Sequence, residues 1–110
     1  MRAYLINEID TSGMEKIHAY LKSAAISSSL EKIYWLPIPE NLLDETQVEH
    51  RDCRPHVFAV ELGQDWVKFE CFLRTLNGMQ CTCQGYCSEP QTHYIIRFAQ
   101  EMTDRLGIKT

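Results

Sequence analysis

The sequence predicts an α+β two-layer sandwich: a mainly antiparallel sheet of four to five strands with two helices on one face, in the order β-α-β-β-β-(β)-α. Three observations carry this expectation. Two stretches of helical periodicity, each behind a capping signal, lie towards the two ends of the chain. Between them, residues 56–62 and 66–75 are apolar and alternating segments joined by a turn of hairpin length. The connections are short throughout, which favours antiparallel neighbours apart from the crossover made by the first helix.

Ala3 to Ile9 contains Tyr4, Leu5, Ile6 and Ile9 and reads as a strand buried on at least one face. Ser12 with Glu15 makes a capping box, and Met14, Ile17, Leu21 and Ala25 recur at helical spacing over about Gly13 to Ile26. His18 lies beside that stripe as a boundary residue. Ser27-Ser28-Ser29 reads as a connection. Lys32 to Ile38 is β-branched and aromatic, a strand in which Pro37 belongs at an edge or an end. Pro39 to Arg54 is the least regular segment. Leu42, Leu43 and Val48 support a short helix there, with Asp44, Glu45, Glu49 and Asp52 turned to water.

His56 to Leu62 and Trp66 to Thr75 form the clearest strand pair. Phe58, Val60 and Leu62 share one face of the first, and Val67, Phe69, Cys71 and Leu73 share one face of the second. Cys71 is therefore expected as an inert core thiol. Asn77-Gly78 is a strong hairpin dipeptide leading into a further strand, Met79 to Cys83. A second capping box, Ser88 with Gln91, opens the last helix with Pro90 in its first turn; Ile95, Phe98, Ala99, Met102 and Leu106 form the stripe, and Gly107 the stop. An open sheet face carrying Trp66, Phe72 and residues of the 32–38 strand would favour a homodimer.

The 110 residues are 45% apolar and 24% charged, with no linker and no repeat; residues 1–110 read as a single domain. Eleven basic against fifteen acidic residues leave a net charge of −4, which argues against nucleic acid or an anionic membrane as the main partner. No apolar run is long enough for a transmembrane helix, and Arg2, Glu8 and Asp10 interrupt the stretch a signal peptide would need. The expectation is a soluble cytoplasmic domain. Its five cysteines, an odd number, fall short of the ~8–10% typical of a disulfide scaffold.

No phosphate-cradling glycine loop, nucleophile elbow or His-Glu-x-x-His zinc helix occurs. What stands out is Cys81, Cys83 and Cys87 within seven residues, with His50, Cys53 and His56 upstream. Pairing Leu62 with Trp66 sets Cys53 opposite Thr75, and a turn at Asn77-Gly78 returns Cys81 beside Arg74. Both groups then flank the same end of one strand, roughly 10 Å apart, and a positive-φ turn at Gly85 would fold Cys87 back towards Cys83. Three readings follow. In the first, Cys81, Cys83 and Cys87 with one of Cys53, His50 or His56 hold a structural metal, zinc above all, although thiolates also hold iron–sulfur clusters; the domain is then a binding or accessory module rather than an enzyme. In the second, Cys87 is a redox or nucleophilic thiol whose pKa is lowered by the helix N-terminus, with His93 nearby. In the third, the domain is a metal-free interaction module or homodimer and the cysteines are incidental.

Overall fold

The computed structural model describes residues 2–76 and 81–109. Its strands are β1 (Ala3–Ile6), β2 (Ile26–Ser27), β3 (Ile33–Pro37), β4 (His56–Leu62), β5 (Val67–Glu70), β6 (Phe72–Thr75) and β7 (Gly85–Tyr86). The α-helices are α1 (Thr11–Ala24), α2 (Glu45–Glu49) and α3 (Glu89–Leu106), with 3₁₀ turns at Glu40–Leu42 and Arg51–Cys53. The fold is α+β, and every strand pair is antiparallel. The sheet order is β1-β5-β4-β3-β2, with β6 against β4 and β7 against β6.

Ile17 and Leu21 of α1 and Ile95, Ala99 and Met102 of α3 enter one core with Leu36, Phe58, Val60, Leu62, Val67, Phe69, Cys71 and Leu73. Both long helices thus cover the same sheet face. Phe58 and Phe69 each meet Phe98 edge-on, at 6.1 and 6.5 Å between centroids. The opposite face is polar and partly open. Trp35 pairs with Ala59 there, and ion pairs run between Lys68 and Glu61 at 3.1 Å and between Arg74 and Glu70 at 3.0 Å. Trp66 lies over Gly63, where a Cβ would come within 1.9 Å of the indole. Phe72 meets Tyr86 edge-on at 5.0 Å.

Four features depart from the expected elements. The cap of α1 is Asp10, which accepts from the Gly13 N–H at 2.7 Å; it has the same cap-to-N3 spacing as the expected Ser12–Glu15 pair but begins two residues earlier. Ile26–Ser27 forms an edge strand on β3, where the sequence predicts the helix end at Ile26 and a connection from Ser27. The expected 66–75 strand is two strands, because Cys71 bulges out of the ladder: its N–H donates to Arg2 O at 2.9 Å and its C=O accepts from the Cys87 N–H at 3.1 Å. β1 and β7 therefore lie end to end along one edge of the β5–β6 strand. The Asn77-Gly78 turn lies outside the described residues. Cys81 to Cys83, expected in a strand, form a turn, and the pairing segment is Gly85–Tyr86.

The hairpin register also differs. Leu62 faces Val67, not Trp66, because only this pairing puts the Phe58–Val60–Leu62 and Val67–Phe69 faces on the same side of the sheet. That shift of one residue and the two extra residues of the bulge set His56, not Cys53, opposite Thr75. Cys53 lies just beyond the strand, in a 3₁₀ turn.

Candidate metal centre

The segment before β4 is built from capped single turns. Asp44 accepts from the Gln47 N–H at 2.8 Å while Gln47 Oε1 accepts from the Asp44 N–H at 3.0 Å, so this box opens α2. His50 closes α2 as its C-cap and starts the 3₁₀ turn ending at Cys53, whose N–H donates to His50 O at 3.1 Å. The His-x-x-Cys spacing is one helical turn, so both side chains project to one side. The second arm is the turn Cys81–Gln84, closed by the Gln84 N–H on Cys81 O at 3.3 Å.

Two glutamines lock these arms together. Gln47 is 3% exposed, and its Nε2 donates to Cys83 O at 3.2 Å. Gln91, the N3 residue of the box that opens α3, is 1% exposed. Its Nε2 donates to Gln47 Oε1 at 3.0 Å and to Leu42 O at 2.8 Å, while its Oε1 accepts from the Ser88 N–H at 3.0 Å. Gln84 Oε1 also accepts from the Thr75 N–H at 2.9 Å, fastening the cysteine turn to the end of β6. Two capping boxes thus join side chain to side chain and hold the turn against α2.

The ligand atoms of His50, Cys53, Cys81 and Cys83 all lie within 4.8 Å of one another. His50 Nδ1 is 2.7 Å from Cys81 Sγ and 4.0 Å from Cys53 Sγ. Hydrogen bonds to the Cys81 sulfur, first from the Cys83 backbone N–H and then from the Cys83 thiol, pull the Cys81 pKa down to about 6. Burial pushes Cys83 up to about 12, reinforced by its hydrogen bonds with Cys81 and Cys53. Cys53 is raised, first by its hydrogen bond with Cys81 and then by burial.

Compared with protein-family models, curated proteins and solved structures, the chain matches none. The site is therefore read on its own chemistry.

Of the six residues singled out from sequence, four converge. His56 lies beside them: it is 2% exposed, and its Nε2 is 3.4 Å from Cys83 Sγ. Burial, then the charge of Arg54, holds its pKa below the usual histidine value. Cys87 is outside the group. Gly85 sits in β7 rather than in a left-handed turn, so the chain runs on along β6 and carries Cys87 to Cys71 and the core. The expected lowering of the Cys87 pKa is reversed: burial, followed by Cys71 and Glu70, pushes it up to about 12. A thiol held neutral there lacks the thiolate that redox or nucleophilic chemistry needs. Gln47 was not foreseen, yet Asp44-x-x-Gln47 is the same kind of box as Ser88-x-x-Gln91 and could have been found by that spacing.

The cluster is a Cys/His site compatible with a metal ion. No helix among the described residues is long and apolar enough to cross a membrane.

Proposed function

We propose that the domain binds one zinc ion through His50, Cys53, Cys81 and Cys83, and that the ion is structural. The observation that carries this reading is the convergence of four soft donors from two separate segments within 4.8 Å. Three thiolates and one imidazole are a donor set that zinc favours in closed tetrahedral sites. A zinc tetrahedron has edges of about 3.6 Å from its bond lengths, and the 2.7 and 4.0 Å separations of His50 Nδ1 from the two sulfurs bracket that value. The compactness of the group favours a single ion over an iron–sulfur cluster, whose ligands are spread over more than one iron. Four protein ligands leave no position open for water or substrate, so a structural role follows rather than a catalytic one.

The ion would join the 50–53 turn to the 81–83 turn at the end of the sheet. None of the four donors belongs to the contiguous core cluster under the helices, although Cys83 is itself buried. Metal removal should therefore loosen this corner and lower the melting temperature without unfolding the sheet and helices. This differs from a zinc finger, where binding and folding coincide.

Elemental analysis of untagged protein, purified without added metal, tests the reading: one zinc per chain is expected. Cys83→Ser should abolish stoichiometric zinc, and chelation should lower the melting temperature of the wild type but not of the variant. Protein without stoichiometric metal, whose Cys53, Cys81 and Cys83 all titrate as free thiols in the native state, would overturn it.

A further inference from the structure

We infer that His56 is the positioning residue of this centre: its Nε2–H donates to the Cys83 sulfur and holds that thiolate in place as a ligand, while His56 itself does not coordinate. The inference rests on the metal reading above and goes beyond it.

His56 begins β4, paired with Thr75 in the ladder. It is 2% exposed, with Nε2 at 3.4 Å from Cys83 Sγ. Its Nδ1 is buried and has no hydrogen-bond partner among the described residues. A buried polar atom without a partner is unfavourable, and stability alone would fill this place with an apolar side chain. The ring is thus held where, among the described residues, one of its nitrogens has no partner and the other has a sulfur of the cluster.

The hydrogen positions follow from donor chemistry. A metal-bound thiolate can only accept, and a neutral imidazole carries a single N–H. That hydrogen must be on Nε2, leaving Nδ1 as a bare acceptor. A second N–H, on Nδ1, would be a buried donor with no acceptor among the described residues. Cys53 and Cys81 are half-exposed and open to hydration, whereas Cys83 is 3% exposed. The Cys81 sulfur has the Cys83 backbone N–H as a donor, and His56 supplies the corresponding donor to the buried Cys83 sulfur. With three thiolates about a divalent ion the centre carries a net charge of one negative unit, and an N–H···S bond disperses that charge where no water reaches.

The test uses full-length protein labelled with ¹⁵N and loaded with ¹¹³Cd. In the imidazole ¹⁵N–¹H spectrum, His56 should appear protonated at Nε2 and bare at Nδ1, with a weak coupling to ¹¹³Cd transmitted through the Cys83 sulfur. His56→Phe should still bind one cadmium but with affinity lower by roughly 10–100-fold. It should also shift the sulfur-to-metal charge-transfer band of the Co²⁺ form, a change that loss of packing alone would not produce. His56→Gln keeps an N–H donor and should restore most of both. A large direct coupling between ¹¹³Cd and a His56 nitrogen, a hydrogen on Nδ1 instead, or a His56→Phe variant with unchanged affinity and band energy would each overturn the inference while leaving the metal site standing. If His56→Phe does not fold, the wild-type spectrum decides alone. Wild-type protein that takes up no cadmium would overturn both readings, and this is seen before any His56 signal is recorded.

Discussion

Replacing Gln91 with Leu should be among the most damaging single changes outside the hydrophobic core, because one side chain serves three partners. In the wild type its Nε2 reaches Leu42 O at 2.8 Å and Gln47 Oε1 at 3.0 Å, and its Oε1 accepts from the Ser88 N–H at 3.0 Å. Leucine matches the volume but leaves the Ser88 N–H and the Leu42 carbonyl without partners; Gln47 Oε1 keeps the Asp44 N–H at 3.0 Å. Each partner stranded in a buried setting costs about 1–3 kcal/mol. Both of these bonds are only part-buried, so the lower half of that range applies to each, and the total is roughly 2–4 kcal/mol. For a chain of this size that is a fall of roughly 10–20 °C in melting temperature. The measurement is urea denaturation of wild type and Gln91→Leu with chelator present, so that metal linkage does not enter. The double variant with Gln47→Leu should lose less than the sum of the two single variants, by about 0.5–3 kcal/mol, because they share a bond. A loss under about 0.5 kcal/mol for Gln91→Leu, or strict additivity, would refute the view that the two boxes act as one unit.

Cys87→Ser should keep one metal per chain by elemental analysis and lose only about 1–3 kcal/mol as a partly buried defect, since this thiol packs on the core away from the cluster. In metal-free protein, alkylation followed by mass spectrometry should label Cys81 first, with a rate that is half-maximal near pH 6, while Cys87 and Cys83, both held neutral up to about 12, and the fully buried Cys71 react late. The same burial makes stability fall at alkaline pH. The folded thiol of Cys87 ionises near 12 and the unfolded one near 9.0, so its contribution is complete below pH 9 and drains away between those values, readable as a falling urea midpoint. Gly63→Ala should displace the Trp66 ring, because its Cβ would stand 1.9 Å from the indole. A loss of about 1–3 kcal/mol and a red-shifted emission in a Trp35→Phe background are expected.

Much of this was legible in the sequence where a local rule had no competitor. Ser88, Gln91, Pro90 and Gly107 frame the last helix as their chemistry dictates, and Gly107 takes the left-handed conformation at φ 67°. Strand β4 runs from His56 to Leu62, the bounds its alternation predicts. The sequence places the start of the first helix two residues late because Asp10 and Ser12 both satisfy the cap rule, and nothing local chooses between them. The register was also within reach: the alternation of residues 58, 60 and 62 against 67 and 69 already required Leu62 to face Val67. The bulge at Cys71 was not, since it is defined by partners at Arg2 and Cys87, far away along the chain. Its consequence for the site was direct. The convergence of His50 and Cys53 with Cys81 and Cys83 followed from bringing both segments to one end of β4, whereas the departure of Cys87 depends on the course of β7 after the turn, which spacing alone does not encode.

The placement of β1 has a consequence for how the chain is made. Ala3 pairs with Glu70 and Ile6 with Val67, and the Arg2 guanidinium lies 3.9 Å from the Tyr86 ring centroid. During synthesis β1 must therefore wait for the sixty residues, 7 to 66, that separate it from β5 before its neighbour exists, and for the approach to the last helix before the edge beside it is closed. Until then Leu5, still 52% exposed in the finished fold, belongs to an unpaired apolar strand, the state most prone to wrong association during synthesis. Such long-range pairing slows folding. Circular permutation would shorten that wait. A permuted 110-residue chain opened in the Ser28–Glu31 region, with residues 1 and 110 joined by a flexible linker, would emit β3, β4, β5 and β6 first and leave β1 to arrive when its partner is already in place.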